Sequence, residues 1–124
     1  MEEAVYTRKS FFGKEVLFRS NEGELTAQLE IEMLKYAVEK GLINEKVVGM
    51  VLDMSKARFN MQPGDGIKII DYVASVPSLA PLKYAIIVDT PEKILFPLLG
   101  GIKREGAKLR PFSTELAALK WILT

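Results

Sequence analysis

The chain of 124 residues has no cysteine and no histidine. Without cysteine there is no disulfide, no thiolate nucleophile and no zinc ribbon. Without histidine there is no Ser-His-Asp triad, no imidazole metal ligand and no ordinary general base near neutral pH. Any catalysis would rest on carboxylates, Lys, Tyr or backbone amides, which shifts the expectation from enzyme toward binding module and implies no cofactor. Charge of one sign is scarce too. Lys and Arg number 17 against 16 Asp and Glu, a formal net charge of +1, which argues against nucleic acid as the main partner. No apolar run approaches the ~18 residues of a membrane span. Met1-Glu2-Glu3 lacks the basic start and apolar core of a signal peptide, so the expected location is cytoplasmic.

What remains is ordinary globular material, 48% apolar and 27% charged. A chain of this size buries roughly two-thirds of its unfolded surface, so a single domain over residues 1–124 is expected. Its organising stretch runs from Val47 to Val73. The run Val47-Val48-Gly49-Met50-Val51-Leu52 is apolar at every position, as in a strand covered on both faces. Asp53 closes it, a polar loop follows, and Pro63-Gly64 opens a helix, Pro being suited to a first turn. A central strand thus delivers its C-terminal end to a helix N-terminus, where open α/β sheets place ligands.

Before that stretch, Ala4 to Thr7 and Glu15 to Arg19 predict a hairpin about Phe11-Phe12-Gly13-Lys14, with a break at Ser20-Asn21-Glu22-Gly23. Thr26 caps a helix reaching about Lys40, with Ala27, Ile31, Leu34 and Val38 inward and Gly41 as the stop. Gln28, Glu30, Glu32, Lys35 and Glu39 form its solvated face. Leu42 and Ile43 tuck under its end.

After the central strand, the helix from Pro63 to about Ala74 buries Ile67, Ile69, Ile70 and Val73. Val76 to Leu82 is a Pro-broken loop. Tyr84 to Asp89 repeats the strand-to-Asp plan, and Thr90 caps a helix that starts at Pro91 with Glu92 in its first turn. Pro97 and Gly100-Gly101 interrupt that helix. Leu109 to Phe112 is a last strand, at an edge because of Pro111. Ser113 caps a closing helix whose inward face is Leu116, Leu119, Ile122 and Leu123, with Trp121 on one flank. The fold class is α/β, in the order β-β-α-β-α-β-α-β-α: a mostly parallel sheet covered by helices, with the hairpin as antiparallel edge.

This pattern resembles the STAS domain, and within it the divergent SpoIIAA-like branch, whose fold is compared with the lipid-carrying CRAL-TRIO domains. Gly23-Glu24-Leu25-Thr26 is similar to the family's G-x-L-(D/T) at the end of its second strand. Val51-Leu52-Asp53-Met54-Ser55 is similar to its central (V/I)-L-D-L-S. Phe112, Thr114, Ala118, Trp121 and Ile122 are similar to its closing F-x-(S/T)-x-x-x-A-x-x-W-(L/I). In the antagonist members a D-S-S-G turn carries a phosphorylated Ser. Here that turn falls on Met61-Gln62-Pro63-Gly64, so the resemblance implies a STAS-like module without the phospho-switch. Ser55, on the strand-end side, serves loop amides instead.

Three functions follow. The first is a non-catalytic regulatory or binding module that holds a protein partner or a small anionic or amphiphilic ligand. Its site is the turn of Phe59, Met61, Gln62, Gly64, Asp65 and Gly66 with the adjacent Thr90 and Phe96. Lys56 and Arg58 on the preceding loop would add charge there, while Asp65 either steadies the helix start or opposes an anion. The second, which the CRAL-TRIO comparison implies, is an amphiphile carrier; a deep apolar cavity between sheet and helices would favour it. The third is an enzyme using Asp53 and Asp89 with a divalent ion, against which each carboxylate simply caps a loop. Phe59, Met61, Phe96, Pro97 and Leu98 are either core or an apolar docking surface. Lys103, Arg104, Lys108 and Arg110 form a basic patch, read as a solvated face or as a site for acidic lipid or protein. A two-fold homodimer is left open.

Overall fold

A computed structural model of the chain describes residues 5–90 and 108–124. It begins with β1 (Tyr6–Phe11) and β2 (Lys14–Leu25), paired antiparallel with Phe11 opposite Lys14. Phe12 and Gly13 between them both take positive φ, 52° and 84°, which a two-residue hairpin turn needs to match the strand twist. The expected break at Ser20 to Gly23 is absent. β2 runs on because the next strand keeps supplying partners along its other edge, from Glu22 beside Lys56 to Leu25 beside Phe59.

Thr26 caps α1 (Ala27–Glu39), its Oγ1 accepting from the Leu29 N–H at 3.1 Å. At the far end Gly41, with φ 67°, donates to the Val38 carbonyl and Leu42 to that of Ala37. These paired bonds make a Schellman cap, which turns Leu42 and Ile43 back onto the core as expected. β3 (Val47–Phe59) follows. Asp53 does not close it; the strand continues six residues further. α2 (Asp65–Ser75) starts from Gly64, so Pro63 precedes the helix and does not occupy its first turn. Ile67 faces outward; Ile70 is buried, and Ile69 and Val73 are half-buried.

β4 (Lys83–Ile87), β5 (Lys108–Phe112) and α3 (Glu115–Ile122) complete the described elements. The cap of α3 is Thr114, whose Oγ1 accepts from the Ala117 N–H at 3.2 Å, and not Ser113. Leu116 is 64% exposed; Ile122 faces inward as expected, together with Ala118. The helix expected from Pro91, with Glu92, Phe96, Pro97, Leu98, Gly100 and Gly101, lies outside the described residues, as do Lys103 and Arg104. Among the described residues no helix is long and apolar enough to cross a membrane.

The five strands lie in the order β1-β2-β3-β4-β5, parallel from β2 to β5. The hairpin is thus an antiparallel edge, and Pro111 sits on the opposite outer strand, where a missing donor is tolerated. One face packs Leu17, Met50 and Leu52 under α1 and α2; the other packs Val16, Val51 and Ala85 under α3. β3 is therefore covered on both sides, which explains its apolar run without alternation.

The α3 layer comes unusually close at Gly49. A Cβ there would lie 2.6 Å from the Lys83 carbonyl oxygen and 2.8 Å from Ile122 Cγ2. One of these neighbours is backbone, so relaxation is costly. Gly49→Ala is expected to destabilise the fold by about 2 to 3 kcal/mol, read as a lower urea midpoint at unchanged m. An unshifted midpoint would show that α3 packs less tightly than described.

Candidate functional site

The site begins with an irregularity in β3. Ser20 pairs with Asp53 and Glu22 with Lys56, so Asn21 alone on β2 faces Met54 and Ser55 on β3. One extra residue in a strand is a bulge, and a bulge reverses which side chains face which way. Before it, Met50, Leu52 and Met54 point toward α1 and α2; after it, Ala57 and Phe59 do. Lys56 and Arg58 are consequently exposed on the strand, not on a loop before α2, and Lys56 lies 3.7 Å from Glu22. The Asp53 carboxylate steadies the bulge, accepting from the Ser55 N–H at 3.1 Å and the Ser55 hydroxyl at 2.7 Å.

Inside the same face lies a buried ion pair that the sequence pattern had hidden. Glu30, read as part of a solvated helix face, is only 4% exposed, and Arg19 on β2 is 3% exposed. The guanidinium grips the carboxylate with two bonds, Nη1 to Oε2 at 2.8 Å and Nη2 to Oε1 at 2.6 Å. Nη1 also donates to the Tyr6 hydroxyl at 3.1 Å and Nε to Asn21 Oδ1 at 2.8 Å. Tyr6 in turn donates to the Met33 carbonyl at 2.8 Å. Burial by itself would lower the Arg19 pKa, but the Glu30 carboxylate reverses this and keeps the guanidinium firmly charged. The inward stripe of α1 is thus Ala27, Glu30, Met33, Leu34 and Ala37, rotated from the expected stripe through Ile31 and Val38, both half-buried.

Between this stripe, α2 and the sheet is a cavity of about 250 Å³. Its walls are Leu34 from α1, Leu52, Met54 and Phe59 from β3, and Ile70 and Val73 from α2, with Glu30 and Tyr84 among the few polar groups. Tyr84 donates its hydroxyl to the Leu79 carbonyl at 2.6 Å. Burial pushes its phenol far above the usual range, with the Glu30 charge adding to the shift. Burial likewise raises the Tyr6 phenol, partly countered by Arg19.

The expected site residues divide across this geometry. Phe59 and Met61 line the cavity. Gln62, Gly64, Asp65 and Gly66 form the turn into α2, which closes on itself. The Gln62 N–H donates to Asp65 Oδ2 at 2.9 Å, and the Asp65 N–H donates to the Gln62 carbonyl at 2.9 Å. The Gln62 amide and then Lys68, 3.4 Å away, draw the Asp65 pKa down, so the helix start already holds an anion. Thr90 is half-buried beyond β4, and Phe96 lies outside the described residues. Lys108 borders the cavity and Arg110 lies over the Trp121 ring at 5.6 Å. Among the described residues no group of three or more acidic side chains could hold a metal, and Asp53 is engaged with Ser55.

Reading the sequence missed Arg19, Glu30, Tyr6 and Tyr84. One signal was available: Arg19 shares strand parity with Leu17 and Leu25, both fully buried, and a buried Arg requires a carboxylate. Glu30→Ala is expected to cost about 3 to 5 kcal/mol by stranding Arg19, whereas Arg19→Met with Glu30→Leu recovers most of that loss. A urea-measured loss below about 1 kcal/mol for the single variant would contradict the pair's burial. The tyrosines set a pH limit. Their folded pKa values exceed the unfolded value of ~10, so the unfolded chain gives up protons first and stability falls as pH climbs past it. The urea midpoint should drop above about pH 10, and Tyr84→Phe should flatten that drop.

No family model matches the chain, and no curated protein matches it in sequence. Solved structures do match. An uncharacterised protein of the DUF3478 family with a SpoIIAA-like fold, from Shewanella loihica PV-4, is 15% identical with a TM-score of 0.62. The match covers 98% of this chain and 95% of the other. The anti-sigma factor antagonist SpoIIAA in its unphosphorylated form is 11% identical with a TM-score of 0.47, over 96% of this chain and 98% of that one. At such identities the likeness speaks to architecture alone. In its mixed five-stranded sheet with helices on both faces, this α/β chain has the SpoIIAA-like fold.

Proposed function

We propose that the chain is a non-catalytic binding module whose ligand is a small, largely apolar molecule seated between the sheet and α1 and α2. The cavity supports this reading: about 250 Å³ walled chiefly by aliphatic side chains, Met and Phe. A cavity of ~150 Å³ holds benzene, so this one accommodates roughly ten non-hydrogen atoms. Apolar contact would supply the affinity at about 0.8 kcal/mol per buried methylene.

The turn before α2 has less to offer a partner, because the Gln62 and Asp65 amides bond within it and the Asp65 carboxylate opposes an incoming anion. Gln62 and Pro63 offer no hydroxyl for a phosphoryl group. Asp53 is bonded to Ser55 within the strand bulge. The carrier reading therefore fits the geometry better than partner capture at the turn or carboxylate chemistry.

Native mass spectrometry of protein purified without refolding is expected to show a retained low-mass ligand, and it also reports the oligomeric state. Toluene is expected to raise Tm in a concentration-dependent way, as any ligand of the folded state does. Val73→Trp, which fills the cavity from α2, should remove that response. A Tm that toluene leaves untouched in the unsubstituted protein would sink the reading.

A further inference from the structure

We infer that the cavity selects, among small apolar molecules, those carrying a hydrogen-bond donor such as an aliphatic hydroxyl, with Glu30 as the acceptor that fixes their orientation. This rests on the cavity reading above and adds the chemistry of the ligand's polar end.

The inference comes from what the polar groups of the wall have left to give. Glu30 lines the cavity, while the guanidinium that neutralises it does not. Arg19 takes one bond on each carboxylate oxygen, at 2.8 and 2.6 Å. A carboxylate has about four acceptor sites, so each oxygen keeps capacity. It has no proton to offer. Tyr84 is the other polar side chain of the interior wall, and its one proton goes to the Leu79 carbonyl at 2.6 Å. What the phenol keeps is again a lone pair.

What these two polar residues of the lining have left for a ligand that reaches them is therefore acceptor capacity alone. A ligand hydroxyl or N–H meets a partner there. A ligand carboxylate or ether oxygen meets none, and a carboxylate also faces a fixed negative charge in a poorly solvated place. Lys108 does not overturn this. It is an exposed residue at the start of β5, and its register partner Lys83 turns to the α3 face, donating to the Trp121 and Thr124 carbonyls.

Three probes of similar size separate the cases: octanol, which donates; 1-methoxyheptane, which only accepts; and octanoate, which is anionic. By isothermal titration calorimetry at pH 8, octanol should bind about tenfold tighter than the ether, the scale of a hydrogen bond to a charged group. Octanoate should bind weakest. In the Arg19→Met, Glu30→Leu double variant the ratio of octanol to ether affinity should fall from about tenfold to about one, whatever the absolute affinities become. Carbon-13 NMR of carboxyl-labelled glutamate gives a second readout that needs no substitution, since octanol should move the Glu30 carboxyl resonance and the ether should not. Equal affinities for octanol and ether, or tightest binding by octanoate, would overturn the role given to Glu30 while leaving the cavity reading intact. Failure of both neutral probes and of toluene would remove the cavity reading itself.

Discussion

The bulge at Met54 and Ser55 in β3 decides which side chains wall the cavity. Strand side chains alternate strictly, so without the bulge at Met54 and Ser55 the later half of β3 would send Lys56 and Arg58 toward α2 and turn Phe59 out to water. With it, Phe59 joins Leu52 and Met54 on one wall. Asp53 is the residue that makes this affordable. A bulge leaves a backbone amide out of register with its neighbours, and the Asp53 carboxylate takes up the Ser55 N–H. An acidic residue at the end of an apolar run thus serves the backbone, though the same placement also suits a metal ligand.

The bulge also separates two parts of the sheet. β4 accompanies β3 only from Gly49 to Asp53, opposite Lys83 to Ile87. Beyond Asp53, β3 and β2 continue as a ribbon to Phe59 and Leu25. α2 must therefore cross from the tip of that ribbon back to β4 over ground where the described strands are fewer. The cavity lies under that crossing. On the opposite face α3 sits so close that Gly49 has no room for a methyl group. The close approach at Gly49 and the cavity thus lie on opposite faces of the sheet.

Much of the frame was legible in the sequence. The Schellman cap at Gly41, the Thr26 cap, the hairpin at Phe12-Gly13 and the doubly covered central strand each rest on a local rule with few competing solutions. The errors share a different cause. Extending β2 through Ser20 to Gly23 depends on a partner strand dozens of residues later, which no local window contains. Two stripes on α1 fit helical spacing equally well, and Glu30 tipped the choice wrongly because a charged residue is ordinarily solvated. Only Arg19, on another element, reverses that rule. Ile67 and Leu116 were assigned inward by type and lie exposed, whereas Ile70 and Ile122, also expected inward, are buried beside Gly66 and Ala118. Of the expected site residues, Phe59 and Met61 line the cavity. Its polar wall was not legible, because a cavity is a property of three elements together.

A buried ion pair beside a cavity needs a physical reason, since each feature taken alone is costly. Two charges lose hydration that their mutual attraction only partly restores, and unfilled volume forfeits dispersion contacts worth ~24 cal/mol per Å³. Had stability been the only demand, Leu or Met at both positions and a larger side chain on α2 would serve better. Their combination makes sense if the pair shapes the cavity's polar edge. Arg19, fixed by Asn21, Tyr6 and Glu30 together, locks the carboxylate rotamer, so an incoming donor meets an acceptor that needs no reorganisation. The cavity's cost then becomes recoverable, because a ligand that fills it stabilises only the folded chain.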